Sequence, residues 1–174
     1  MKKHVLLSIA AATALTLKIS SLDIQAATVH LTATSETQKP AKEATSLSEF
    51  EQRVVELTNT ERAKENLPPL QLETKLSNVA RIKSEDMQKN NYFNHNSPTY
   101  GSPFDMMNKF GVLYTSAGEN IAQGQRTPEE VVQAWMNSAG HRTNILNNDF
   151  THIGVGYVEN GNYWTQQFIA KQTN

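Results

Sequence analysis

The side chains of this chain that could do chemistry fall in three short stretches. His95 lies in Tyr92-Phe93-Asn94-His95-Asn96-Ser97-Pro98, Glu119 lies between Gly118 and Asn120, and Ser138 and His141 lie in Asn137-Ser138-Ala139-Gly140-His141-Arg142. Imidazole titrates near neutrality and ligates metals when neutral, and loop histidines held by a scaffold are where that chemistry resides. The glycine, serine and asparagine around His95 and His141 place both in loops, with an ordinary hydrogen-bonded histidine as the alternative at each. A carboxylate at Glu119, entering a strand, is desolvated; it is either paired or fixes the loop by accepting backbone N–H bonds.

Other polar residues have structural explanations. Glu129 and Glu130 follow Thr127-Pro128 and belong to a helix start, Arg142 is expected to pair locally, and Trp135 shares helical spacing with Val131 and belongs to the core. There is no Gly-x-Ser-x-Gly, P-loop or His-Glu-x-x-His, and with no cysteine there is no thiol nucleophile.

The elements that must position these residues can be read from periodicity and caps. Ser48 and Glu51 have capping-box spacing, with Leu47 as a hydrophobic staple and Phe50, Val54 and Leu57 on one helical face. Leu67-Pro68-Pro69-Leu70 ends that helix because consecutive prolines remove donors and force extended backbone. A second helix is predicted over 74–89, with Leu76, Val79, Ala80, Lys83 and Met87 on one stripe, and Asn90-Asn91 stops it. Ser102-Pro103 opens a short helix through Phe104, Met107 and Phe110, closed by Gly111. A strand is predicted to begin at Asn120 or Ile121, then a helix from Thr127 to near Asn137 carrying Val131, Ala134 and Trp135 inward. A short turn or helix follows over 141–146. Ile153, Val155 and Tyr157 alternate with smaller residues, and Asn160-Gly161 before a second run predicts a hairpin. Helices first and an antiparallel hairpin last argue an α+β fold.

The N-terminus reads differently. Lys2, Lys3 and His4 precede an apolar run over 5–17, and small residues end at Ala26, the pattern of a secretory signal peptide over 1–26. The run is too short for a stable membrane span. Residues 27–46 hold five threonines, four alanines, two serines and no aromatic, too little apolar surface to offset ordering, and are read as a flexible spacer before a domain over 47–174. Removal of Lys2, Lys3, Lys18 and Asp23 takes 16 basic and 17 acidic side chains to 13 and 16, net −3. That balance excludes the basic stripe of a nucleic-acid binder. Export without cysteine leaves a domain stabilised by its own core, which suits a bacterial secreted or cell-wall-associated protein.

Several of these motifs occur together in one known family. Phe93-Asn94-His95-Asn96-Ser97-Pro98, Gly118-Glu119-Asn120-Ile121-Ala122, the helix from Thr127 through Trp135 to Ser138, Gly140-His141-Arg142-Thr143-Asn144 and Phe150-Thr151-His152-Ile153-Gly154-Val155-Gly156-Tyr157 closely resemble the bacterial branch of the CAP superfamily, the SCP domain. The likeness runs from about Ser48 to Ala170. It implies a three-layer α-β-α sandwich with a central, mainly antiparallel sheet. It also implies a cavity of two histidines and two acids, in which the histidines of some members bind a divalent metal, often zinc. By position, the histidines are His95 and His141 and the first acid is Glu119. Where many members have a second glutamate this chain has Ser138, whose hydroxyl is neither a general base nor a source of negative charge.

Two functional classes follow. The first is an extracellular binding module for a lipid, glycan, peptide or protein partner, its His95, Glu119, Ser138 and His141 cavity able to hold zinc or another divalent cation. The second is a metal-dependent hydrolase with His95 and His141 as ligands and Glu119 as base. A purely structural surface protein is the third possibility.

Overall fold

The computed structural model describes residues 47–171; the signal peptide expected over 1–26 and the spacer expected over 27–46 lie outside the described residues. The elements run α1 (Glu49–Lys64), β1 (Gln71–Leu72), α2 (Thr74–Lys89), α3 (Pro103–Lys109), β2 (Ser116–Gln123), α4 (Pro128–Met136), α5 (Ala139–Ile145), β3 (His152–Val158) and β4 (Tyr163–Ala170). The sheet order is β1-β3-β4-β2, antiparallel except for the short parallel pairing of β1 with β3. Alternate residues of β4 supply two cores. Trp164 and Phe168 join Val54, Val131, Trp135 and Ile145 on the face covered by α1, α4 and α5, while Ile169 joins Leu76, Val79, Met106 and Met107 beneath α2 and α3. These are the expected three layers, and β4, buried on both faces, is their centre.

The register places Gly154 and Gly156 under α2. A Cβ at Gly154 would lie 2.4 Å from the Leu76 carbonyl carbon, and one at Gly156 would lie 2.1 Å from the Arg81 nitrogen. Helix and strand backbones therefore meet with no side chain between them, and Ser84 Oγ donates to the Gly156 carbonyl at 3.1 Å.

Several elements differ from the sequence reading. The Ser48–Glu51 capping box forms as predicted, but the buried stripe of α1 is Glu51, Val54, Thr58 and Arg62, with Phe50 39% exposed. The polar members are buried because each has partners. Glu51 takes both Arg81 Nε and an Arg81 terminal nitrogen, at 2.9 and 2.6 Å, and Arg62 donates to the Pro68, Ile145 and Asn147 carbonyls. Phe50 instead stacks on Tyr157. In α3 the buried residues are Pro103, Met106 and Met107, while Phe104 is exposed.

Strand β2 begins at Ser116, four residues before the expected Asn120, because its pairing with β4 extends to Ala170. The hairpin turn spans Glu159 to Asn162, closed by the Asn162 N–H on the Glu159 carbonyl at 3.0 Å. Positive φ falls at Gly161 (86°) and Asn162 (49°), not at Asn160. At the start of α4, Thr127 caps the Glu130 N–H, but the Glu130 carboxylate takes the Arg126 N–H, outside the box position.

Candidate functional site

Strand β2 lies at the sheet edge, and consecutive residues on it reach opposite layers. Glu119 pairs with Gln167, which in turn pairs with Gly154, and this row lies on the α2 face. Asn120 pairs with Gln166, which pairs with Val155, and that row lies on the α1, α4 and α5 face. Gly118-Glu119-Asn120 therefore serves both layers from one edge. The carbonyls of Glu119 and Ile121 accept from Asn144 Nδ2 and Trp135 Nε1, each at 3.2 Å, so α4 and α5 close the edge that no strand covers.

Glu119 is a strand residue whose side chain is 3% exposed, not a loop residue. Both carboxylate oxygens are engaged: His95 Nδ1–H donates to Oε1 at 2.8 Å and Gln167 Nε2 donates to Oε2 at 3.0 Å. The contact fixes the His95 tautomer and leaves Nε2 as its free nitrogen. The His95 side chain is 50% exposed, so the free edge of the ring faces solvent. Gln167 Oε1 is buried beside this pair with no hydrogen-bond partner.

The loop beneath His95 is held by α2. Lys83, fully buried, donates to the Asn94 and His95 carbonyls, each at 2.8 Å, and to the Tyr92 hydroxyl at 3.1 Å. One turn on, Asp86 accepts from Ser97 Oγ, Thr99 Oγ1, Asn90 Nδ2 and the Tyr92 hydroxyl. Those hydrogen bonds hold the Asp86 carboxyl below its ordinary value against the upward push of burial, and burial drives the Tyr92 hydroxyl upward.

His141 lies on α5, not in a loop. Its carbonyl accepts from Asn120 Nδ2 at 3.1 Å, the same amide nitrogen donates to Gln166 Oε1 at 3.1 Å, and Gln166 Nε2 donates to Thr58 Oγ1 at 2.7 Å. Asn144 Nδ2 completes the chain on Asn120 Oδ1 at 2.8 Å. This buried amide ladder ties α1, the sheet and α5 together. Burial pushes the His141 imidazole below its ordinary value, and the charge of His95, close enough to act on it, pushes in the same direction. His95 thus reaches the β2 edge from the α2 layer through its ring, and His141 meets it from the opposite layer through its backbone carbonyl.

Ser138 is the N-cap residue of α5 by backbone position, and its hydroxyl makes no capping hydrogen bond. Arg142 donates to Glu65 at 3.1 Å, a partner distant in sequence, and Glu129 pairs with Arg53. Lys83, Asp86, Asn120, Asn144, Gln166 and Gln167 were not singled out by sequence. The available signal was Lys83, a charged residue on an otherwise apolar stripe.

The sheet is thus sandwiched between helix layers, with His95 on an edge glutamate from one layer and the His141 backbone on the neighbouring Asn120 from the other. The model of the cysteine-rich secretory protein family, CAP, matches residues 55–168, and the chain belongs to that family. It is 68% identical over 126 residues to YkwD, an uncharacterized protein of Bacillus subtilis, across 72% of this chain and 49% of that protein. The crystal structure of an extracellular SCP-domain protein from Bacillus anthracis is 42% identical with a TM-score of 0.68, covering 70% of this chain and 40% of that one. An outer surface protein of Borrelia burgdorferi, 22% identical with a TM-score of 0.65, shares the fold across 70% of this chain and 92% of its own. The chain spans about half the length of YkwD and less of the Bacillus anthracis protein. Among the described residues no helix is long and apolar enough to cross a membrane.

Proposed function

We propose that this protein is a secreted, extracellular or cell-wall-associated binding module whose cavity at His95, Glu119 and His141 takes a divalent cation, zinc or one like it. Export is supported by Lys2, Lys3 and His4 before the apolar run over 5–17, and by the extracellular description of the Bacillus anthracis relative. The carrying observation is that both oxygens of Glu119 are already engaged, one by His95 and one by Gln167. A carboxylate so placed orients a histidine ligand, as second-shell acids do at metal sites.

The donor set fits a cation held by His95 through Nε2 and by the His141 ring, which has no hydrogen-bond partner among the described residues. The buried Gln167 Oε1 is a further acceptor without a protein partner. Among the described residues no group of three or more histidine, cysteine, aspartate or glutamate side chains stands ready for a metal. A two-histidine site of this kind would be open and exchangeable rather than closed and structural. Bound there, the cation would supply a Lewis acid facing solvent, where a ligand with lipid, glycan, peptide or protein donors would meet it. The hydrolase reading needs Glu119 as a free base or a third ligand, and its two engaged oxygens argue against both roles. Ser138 adds no charge in compensation.

Isothermal titration with Zn²⁺ tests this. The wild type should bind one ion at neutral pH, and His95→Ala and His141→Ala should each abolish saturable binding. Affinity should also weaken at pH 5, because a protonated imidazole cannot coordinate. A wild type that binds no zinc, or binding that survives both substitutions, refutes the reading.

A further inference from the structure

Lys83 occupies a core position on α2 between Val79 and Met87, and its side chain is among the largest that are fully buried. Packing alone does not account for it, since a methionine would fill the same volume without desolvating an ammonium. No carboxylate lies within ion-pair distance of it among the described residues. The ammonium instead spends its three donors on the Tyr92 hydroxyl and on the Asn94 and His95 carbonyls. Burial depresses its pKa, partly offset by the negative charges of Glu119 and Asp86.

The division of labour with Asp86 is informative. Asp86 collects side-chain donors from Asn90, Tyr92, Ser97 and Thr99, the two flanks of the loop. At its middle, where the backbone must present His95, Lys83 holds two successive carbonyls. Without those contacts the Asn94 and His95 carbonyls would turn toward water, and the ring would no longer be aimed at Glu119.

We propose that Lys83 is the positioning residue of the site: bound to the Asn94 and His95 carbonyls from below, it sets the loop so that His95 Nδ1–H meets Glu119 and Nε2 faces outward. The proposal deepens the cation-site reading but does not depend on a metal, because the state of the His95 ring can be observed in the metal-free protein.

The test uses Lys83→Met, which keeps the volume and removes the ammonium, with imidazole nitrogen shifts recorded by NMR. In the wild type His95 should show a single Nδ1–H tautomer. In the folded variant that signature should give way to the averaged tautomers of a solvent-exposed ring, and Zn²⁺ affinity should fall about 10–100-fold, the usual effect of removing an outer-shell partner. The chain has no cysteine, so Lys83→Cys can be alkylated uniquely with bromoethylamine in denaturant and refolded, restoring an ammonium of lysine length. Both readouts should then recover. A folded Lys83→Met protein with the wild-type His95 pattern overturns the proposal.

Should Lys83→Met not fold, the wild type itself decides. The Lys83 ammonium should give a slowly exchanging proton signal absent for the exposed Lys64 and Lys89, and an ammonium exchanging as fast as those two overturns the proposal. A wild type that binds no zinc but keeps the His95 signature refutes the metal reading and leaves the role of Lys83 standing.

Discussion

Replacing Gly156 with alanine adds one methyl group where the structure has no room for it. The new Cβ would lie 2.1 Å from the Arg81 nitrogen, 2.3 Å from the Ala80 carbonyl carbon and 2.4 Å from the Arg81 Cα. All three atoms are backbone, so no side-chain rotation relieves the overlap, and ordinary carbon contacts of about 3.5–4.0 Å require α2 to retreat by more than about 1 Å. That retreat loosens the packing of Leu76, Val79 and Met87 and stretches the Ser84 hydrogen bond to the Gly156 carbonyl. Overpacking a core typically costs about 1–3 kcal/mol, and two facing backbones put this site at the upper end or beyond. Alanine also lowers the entropy of the unfolded chain, which returns about 0.4–1 kcal/mol. The net is a loss of at least about 2 kcal/mol, or a fall in Tm of roughly 6 °C or more for a domain of this size. Calorimetry on Gly156→Ala measures it directly. Because α2 also carries Lys83, the His95–Glu119 contact should weaken in the same variant. A Tm within about 2 °C of wild type would refute the view that helix and strand are in direct backbone contact.

Asn120→Ala removes the Asn120 partner of the His141 carbonyl and of Gln166 Oε1 in a buried setting and leaves Asn144 Nδ2 with only the Glu119 carbonyl. Unfolding in denaturant should show a loss of about 2–3 kcal/mol, and a loss below about 0.5 kcal/mol would mean that the amide ladder is not structural. Acidification should destabilise the domain below neutrality. His141 and His152 both have pKa values depressed from the ordinary 6.5, chiefly by burial. The folded state thus binds fewer protons than the unfolded state, so stability is fully present above about pH 6.5 and is lost as pH falls through the folded values. Denaturation at pH 7.5 and pH 5 should show this, with a smaller difference in His141→Gln; an unchanged difference in that variant removes His141 from the explanation.

Local chemistry made much of the fold legible in advance. The capping box of Ser48 and Glu51, the limits of α2, the proline start of α3 and the Thr127 cap are short-range features, so a single stretch of sequence carries them whole. The motif likeness extended this to the three layers, and it marked His95, Glu119 and His141. It could not show how Glu119 is used. That depends on Gln167, 48 positions away, which occupies the second carboxylate oxygen.

The misread elements share a cause. Phe50 looked like part of the inward face of α1, beside Val54 and Leu57, because apolar periodicity counts only apolar residues, whereas Glu51, Thr58 and Arg62 are buried by partners in other elements. Lys83 stood on the α2 stripe by spacing alone, and its meaning came only when the loop at Asn94 and His95 folded over it. The sequence by itself determined where α1 and α3 start, where α2 starts and stops, where α4 starts, which strands form the hairpin and which residues carry ionisable chemistry, because caps, turns and periodicity act over a few residues. The tertiary structure alone decided which polar groups are buried, which oxygen of Glu119 meets which donor, and that the His95 ring and the His141 backbone meet one strand edge from opposite layers. Those outcomes rest on desolvation and hydrogen-bond geometry between elements far apart in the chain, which no local pattern encodes.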